Sequence, residues 1–147
     1  MESAAKVKLW SDLSTSLVVS GQEVDSASLL TDLQLADSQE ISGPGGVGVY
    51  SGPGWATLTV DGRHAESADE QAAELVRIIS PRKSALEALK KAGKSMKVDV
   101  SGVAESGSGI GISPQVLAGL AELGVPVTFT TVRESGEDEE DPLAWLG

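Results

Sequence analysis

The sequence predicts an α+β domain: a ferredoxin-like split βαβ sheet with helices mainly on one face, extended by a C-terminal helix and strand. Three observations predict it. Segments with period-two alternation interleave with segments of helical spacing, in the order β-α-β-β-α-β-α-β. Each helical segment opens on a capping residue, Asp25, Ser67, Ser80 or Ser113. The 147 residues, 40% of them apolar, fit one domain with a substantial core.

Residues 7–20 read as one or two strands, because Leu13, Thr15, Leu17 and Val19 alternate with polar or smaller residues up to Gly21. Asp25 caps a helix over 26–34, with Leu29, Leu30 and Leu33 on one side. Glycines and prolines crowd 43–54 around Val47, Val49 and Tyr50, which predicts a short strand in a turn-rich stretch. Trp55 to Val60 is the next strand, closed by the Asp61-Gly62 turn.

Ser67 and Glu70 have capping-box spacing for a helix to Ile79, whose apolar stripe is Ala68, Ala72, Leu75, Val76 and Ile79. Ser80-Pro81 predicts a fresh N-cap and N1 for a helix ending at Gly93. Met96, Val98 and Val100 alternate with Lys97, Asp99 and Ser101 as a half-exposed strand, followed by a Gly/Ser-rich loop over 105–112. Ser113-Pro114 repeats the cap signature for a helix through Val116, Leu117, Leu120 and Leu123, stopping at Gly124. A last strand covers Val127 to Val132. The folded domain is therefore expected over 1–133. Residues 134–147 form an acidic tail, expected to be disordered, with an apolar end.

Several of these segments resemble a bacterial family known as domain of unknown function 4279. The matching stretches are Thr15-Ser-Leu-Val-Val-Ser-Gly21, the Asp-initiated Leu-rich helix after it, and the Gly54-Trp55 strand. The Ser80-Pro-Arg-Lys-Ser-Ala-Leu-Glu-Ala-Leu89 helix start and Lys97-Val-Asp-Val-Ser101 also match. So does Ile112-Ser-Pro-Gln-Val-Leu-Ala-Gly-Leu-Ala-Glu-Leu-Gly-Val-Pro-Val127. The resemblance spans roughly residues 12–133. Its motifs are caps, turns and core positions, so it implies size and fold but no activity. After Leu33 the family has Gly and then Pro, where this chain reads Gln34-Leu-Ala-Asp-Ser38.

Charge narrows the function. The net charge is −11, from 22 acidic and 11 basic residues, and six of the acids fall between Glu134 and Asp141. Such a chain repels nucleic acid and anionic membranes at long range and favours basic protein partners. No cysteine is present, which excludes disulfides and thiolate metal sites. Met1 to Lys8 lacks the apolar region of a secretory leader, and no apolar run approaches the roughly 20 residues of a membrane span. A cytoplasmic protein without cofactor or metal is the expectation.

The constellations that mimic chemistry have plainer readings. His64 is a single histidine in a turn, with no Gly-x-Ser-x-Gly elbow to pair with. Ser80-Pro-Arg-Lys83 has Ser-x-x-Lys spacing, but the companion motifs are missing and Ser80 reads as a cap. Gly43-Pro-Gly-Gly-Val-Gly48 has dinucleotide-loop spacing, yet a strand follows it instead of a helix.

Three features remain as candidate interaction surfaces. Gly107, Gly109, Gly111 and Ser113 lie in a loop running into a capped helix, where backbone N–H groups can hold an anion; the alternative is a plain surface connection. Segment 80–97 carries a local charge of +5, and Lys83, Lys90 and Lys94 are spaced to share one helical face with Glu87. It reads as a solvated face or as a contact for the acidic tail. The tail ends on Leu143, Trp145 and Leu146, which suits a docking motif, packing on its own domain, or no role.

The sequence thus points first to a non-enzymatic acidic module engaging a protein partner, and an immunity-type protein that neutralises a basic toxin fits its charge and size. A small-ligand-sensing ferredoxin-like domain is the alternative, and an enzyme working with carboxylates alone comes third.

Overall fold

The computed structural model describes residues 8–36, 41 and 45–132. In chain order the elements are β1 (Lys8–Leu9), β2 (Ser11–Ser20), α1 (Ser26–Asp32), β3 (Val47–Gly52), β4 (Trp55–Val60) and α2 (Ala68–Ile79). A 3₁₀ turn (Ser80–Arg82) leads into α3 (Lys83–Lys91), followed by β5 (Ser95–Val103), β6 (Ser108–Gly109), α4 (Pro114–Glu122) and β7 (Val127–Val132). The protein is α+β, as its alternating periodicities predict.

Five strands form a mixed sheet in the order β3-β4-β2-β5-β7. Neighbours are antiparallel except β5 and β7, which run parallel through α4. The parallel edge arises because α4 is a crossover that returns the chain to the end where β5 began. β1 and β6 add a separate two-stranded parallel pair, which the sequence does not announce.

Alternation along β2 decides which face is buried. Leu13, Thr15, Leu17 and Val19 are buried, while Ser14, Ser16, Val18 and Ser20 are only partly so. Register carries that division across the sheet, since Leu17 pairs with Leu58 on one side and Val98 on the other. Leu29 and Leu33 from the α1 region, Leu75 and Ile78 from α2, Leu86 and Leu89 from α3, and Leu120 and Leu123 from α4 join this face in one core. Aliphatic side chains supply that core, as the scarcity of aromatics requires. A smaller cluster of Leu13, Ala68 and Val100 lies at one end of the sheet, with Trp10, Ile110 and Ile112 against it.

The caps behave mostly as their sequences predict. Asp25 accepts from the Ser28 amide at 2.8 Å, and the Ser28 hydroxyl accepts from the Asp25 amide, closing a box on α1. Ser67 accepts from the Glu70 amide on α2. Ser80 departs from expectation. Its backbone is helical and its amide donates to Val76 O, so it ends α2 and does not cap a new helix. Pro81 falls in the opening positions of the 3₁₀ turn, where a residue without an N–H is tolerated. No helix among the described residues is long and apolar enough to cross a membrane.

Candidate functional site

Among the described residues a concavity lies where β1, the start of β2 and the N-terminus of α2 meet. It is built on a break in the ladder. Between Ser11, opposite Val103, and Ser14, opposite Ser101, β2 carries one residue more than β5. That bulge puts Asp12 at φ +49, in the left-handed region where aspartate is tolerated better than most side chains. Gly102 makes the bulge possible. A β-carbon there would stand 3.0 Å from Leu13 Cδ2 and from Ser11 O.

Gln71 pins the bulge to α2. Its Nε2 donates to Leu13 O at 2.9 Å and to Ala65 O at 2.8 Å, and its Oε1 accepts from Thr15 Oγ1 at 3.3 Å. Both side chains are fully buried, so these bonds replace the water each lost. The cleft above them encloses about 620 Å³. One wall is Leu9, Trp10, Asp12 and Leu13; the other carries Glu66, Ser67 and Glu70, with Gln71 between. An apolar notch of about 190 Å³, lined by Leu9, Leu13, Ala68 and Ile110, adjoins it. Three carboxylates, Asp12, Glu66 and Glu70, therefore share the lining with apolar side chains, and among the described residues no lysine or arginine lines either space.

The Gly107–Gly111 loop borders the notch through Ile110 and Gly111 and is less open than a plain connection. Leu9 pairs with Gly109, and Trp10 N donates to Gly109 O at 3.1 Å. Gly107, at φ +80, turns the chain between Glu105 and Ser108. Gly111 lines the notch. At Ser113 the backbone N–H that an external anion would use donates instead to Asp69 Oδ1 at 2.7 Å. The Ser113 hydroxyl accepts from Val116 N at 3.3 Å. The anion at this helix start is the protein's own carboxylate.

The basic segment is also partly committed. Lys90 Nζ donates to Gly124 O at 2.7 Å, tying α3 to the end of α4, and lies 3.6 Å from Glu87. Lys94 Nζ donates to Gln22 O at 2.7 Å. Lys94 lies past the end of α3 and does not share its face with Lys83 and Lys90, contrary to the helical spacing read from sequence. Lys83 is exposed. Leu143, Trp145 and Leu146 lie outside the described residues.

His64 stands in its turn with Nδ1 3.2 Å from Gly45 O and Nε2 3.9 Å from Glu74. A side-chain hydrogen bond from Arg63 holds the Asp61 carboxyl below its usual range, and one from Arg77 does the same for Glu74. Both shifts favour the ionised form, the reverse of what a general acid needs. Among the described residues no group of three or more acidic or histidine side chains is placed to hold a metal ion.

The cleft is not legible in the sequence, because its walls come from segments more than 50 residues apart. One signal was available: Gln71 is a polar residue set between Ala68, Ala72 and Leu75 on the apolar stripe of α2. No protein-family model, curated protein or solved structure matches this chain.

Proposed function

We propose that this chain is a non-enzymatic acidic module that binds a basic segment of a protein partner in the Leu9–Gln71 cleft. The observation that carries this reading is the cleft's mixed lining, with Asp12, Glu66 and Glu70 beside the apolar Leu9, Trp10 and Leu13. A lysine or arginine side chain has the matching anatomy, an apolar stem with a cationic head. Trp10 adds an aromatic face that favours a cation. The net charge of −11 steers such a partner inward and repels polyanions. A cytoplasmic module of the immunity type remains the biological setting this chemistry suits.

In the same reading, β3, β4, β2 and β5 form the split βαβ unit, and α4 with β7 extends it. Support comes from their mutual order, antiparallel throughout, with helices entering one core. The resemblance to the domain family implies the same framework.

The test is capture from native lysate with the wild-type chain and with Asp12→Asn/Glu66→Gln/Glu70→Gln, at low and moderate salt. A basic protein retained by the wild type and lost with either change supports the reading. Retention by both chains moves the site elsewhere. A second reading has one observation of its own: the cleft volume lies within the roughly 300–1,000 Å³ of small-molecule sites. A cationic metabolite that raises the melting temperature of the wild type but not of the triple variant would favour a sensing domain.

A further inference from the structure

The sheet face opposite the helices holds a second arrangement, independent of the cleft. Register places Gly48, Tyr50 and Gly52 of β3 beside Thr59, Thr57 and Trp55 of β4 on this face. Ser16 of β2 stands opposite Thr59 and Val18 opposite Thr57. Tyr50 and Trp55 are 49% and 39% exposed, high values for aromatic side chains inside strands.

The two rings do not stand up from the sheet. A β-carbon on Gly52 would lie 2.6–2.7 Å from Nε1, Cε2 and Cζ2 of Trp55. Three ring atoms at nearly one distance mean that the indole rests face-down over the glycine. A β-carbon on Gly48 would likewise meet Oη, Cζ and Cε2 of Tyr50 at 3.0–3.3 Å. Each glycine thus gives up the space its neighbour's ring occupies, and both rings remain substantially exposed. Gly48 and Gly52 are four residues apart, so the two contacts lie about 14 Å apart along β3 at strand rise.

Beside the rings are hydroxyls, already oriented by one another. Ser16 Oγ lies 2.8 Å from Thr59 Oγ1, which lies 3.1 Å from Thr57 Oγ1. A hydroxyl both donates and accepts, so each keeps capacity for an external group. The surroundings are electrically balanced. Arg63, beside Tyr50, is held by Asp61 at 3.1 and 3.2 Å. Lys97 and Asp99 add one charge of each sign, and Asp99 accepts from Thr128 and Thr130.

We infer that this face binds a neutral polysaccharide chain. Flat pyranose rings present C–H groups with slight positive charge, which the negative faces of Tyr50 and Trp55 attract. The sugar hydroxyls then meet Thr57, Thr59 and Ser16. Two separated platforms with a hydroxyl row alongside suit an extended chain more than a single sugar. Charge completes the match, because a balanced patch on a strongly acidic protein repels polyanions and draws no polycation.

Affinity electrophoresis of the full chain through gels containing mixed-linkage β-glucan, xyloglucan or galactomannan tests this. At least one should retard the wild type. Tyr50→Ala and Trp55→Ala should each weaken that binding about tenfold or more, and Thr57→Val should weaken it measurably. Asp12→Asn/Glu66→Gln/Glu70→Gln should leave it unchanged, which separates this site from the cleft. Trp55→Ala uncovers Gly52 and can disturb folding, so Tyr50→Ala and Thr57→Val, checked by thermal melting, carry the test alone if it does. No retardation by any of the three polysaccharides overturns the inference. So does retardation that both of those variants preserve, or that only an anionic polysaccharide produces.

Discussion

The Ser113 amide donates to the Asp69 carboxylate across 2.7 Å, joining the N-cap of α4 to the first turn of α2. One carboxylate serves two helix starts: it lies in the first turn of α2 and ends a hydrogen bond from the cap of α4. The glycine loop is held at this point.

Asp69→Ala should therefore lower stability by about 1–3 kcal/mol, the range for a lost charged hydrogen bond and its unmatched donor. Urea unfolding of the two proteins measures it. The variant also vacates the helix start, so sulfate should raise the melting temperature of Asp69→Ala more than that of the wild type. An equal response in both would show that Asp69 does not fill an anion position.

Gln71→Ala makes a sharper demand. It removes the donor to Leu13 O and Ala65 O and the acceptor for Thr15, all at a fully buried position. A loss of about 3 kcal/mol is expected, since unmatched buried groups cost roughly 1–3 kcal/mol each and are not additive. Hydrogen exchange should locate the damage at the β2 bulge and the α2 start, with β3 and β4 little changed. Uniform loss of protection would mean that Gln71 is simply part of the common core.

What the sequence made legible and what it did not separate along physical lines. Asp25, Ser67, Ser113, Gly93 and Gly124 act within a few residues of themselves, so spacing alone predicts their helix ends. The alternation of Leu13, Thr15, Leu17 and Val19 matches the buried row of β2 because period two is a property of the strand. Ser80 misled because Ser-Pro has the chemistry of a helix start, while the buried Ile78, Ile79 and Leu86 keep the chain turning through it. The cleft depends on a bulge at Asp12, a pairing of Leu9 with Gly109 and a buried Gln71. Each is a relation between distant segments. The commitments of Lys90 and Lys94 are hidden for the same reason, since their acceptors, Gly124 O and Gln22 O, lie 34 and 72 residues away.

Acid should weaken one identifiable contact. Arg77 donates to Glu74 from Nε at 2.8 Å and from Nη2 at 2.7 Å and holds the carboxyl below its ordinary value of 4.5. A depressed folded-state value gives stability that is complete above the unfolded value and fades as pH falls through the folded one. The arginine is 57% exposed, so solvent screening keeps the contribution at about 0.5 kcal/mol. The deficit of Glu74→Gln relative to wild type should be visible in urea at pH 6 and shrink at pH 3. A deficit that persists unchanged at pH 3 would assign it to packing.

Two glycines beside the same turn should respond in opposite ways to alanine. Gly46 has φ +89, and a β-carbon there would stand 2.2 Å from the His64 amide nitrogen and 2.8 Å from Arg63 C. Those atoms are backbone and cannot swing aside. Its carbonyl also accepts from Asp61 N at 3.0 Å, fixing β3 to the turn after β4. Gly46→Ala must therefore part the two segments and should cost about 3 kcal/mol or more, combining backbone strain with overpacking. Gly62 has nothing within 4 Å of its added β-carbon and no positive φ. Gly62→Ala should be neutral or stabilise by about 0.4–1 kcal/mol, since it mainly restricts the unfolded chain. Paired thermal and urea melts decide it. Equal effects at the two positions would mean that the segment around Gly46 yields without loss, and that the β3 edge is not anchored to the Asp61 turn.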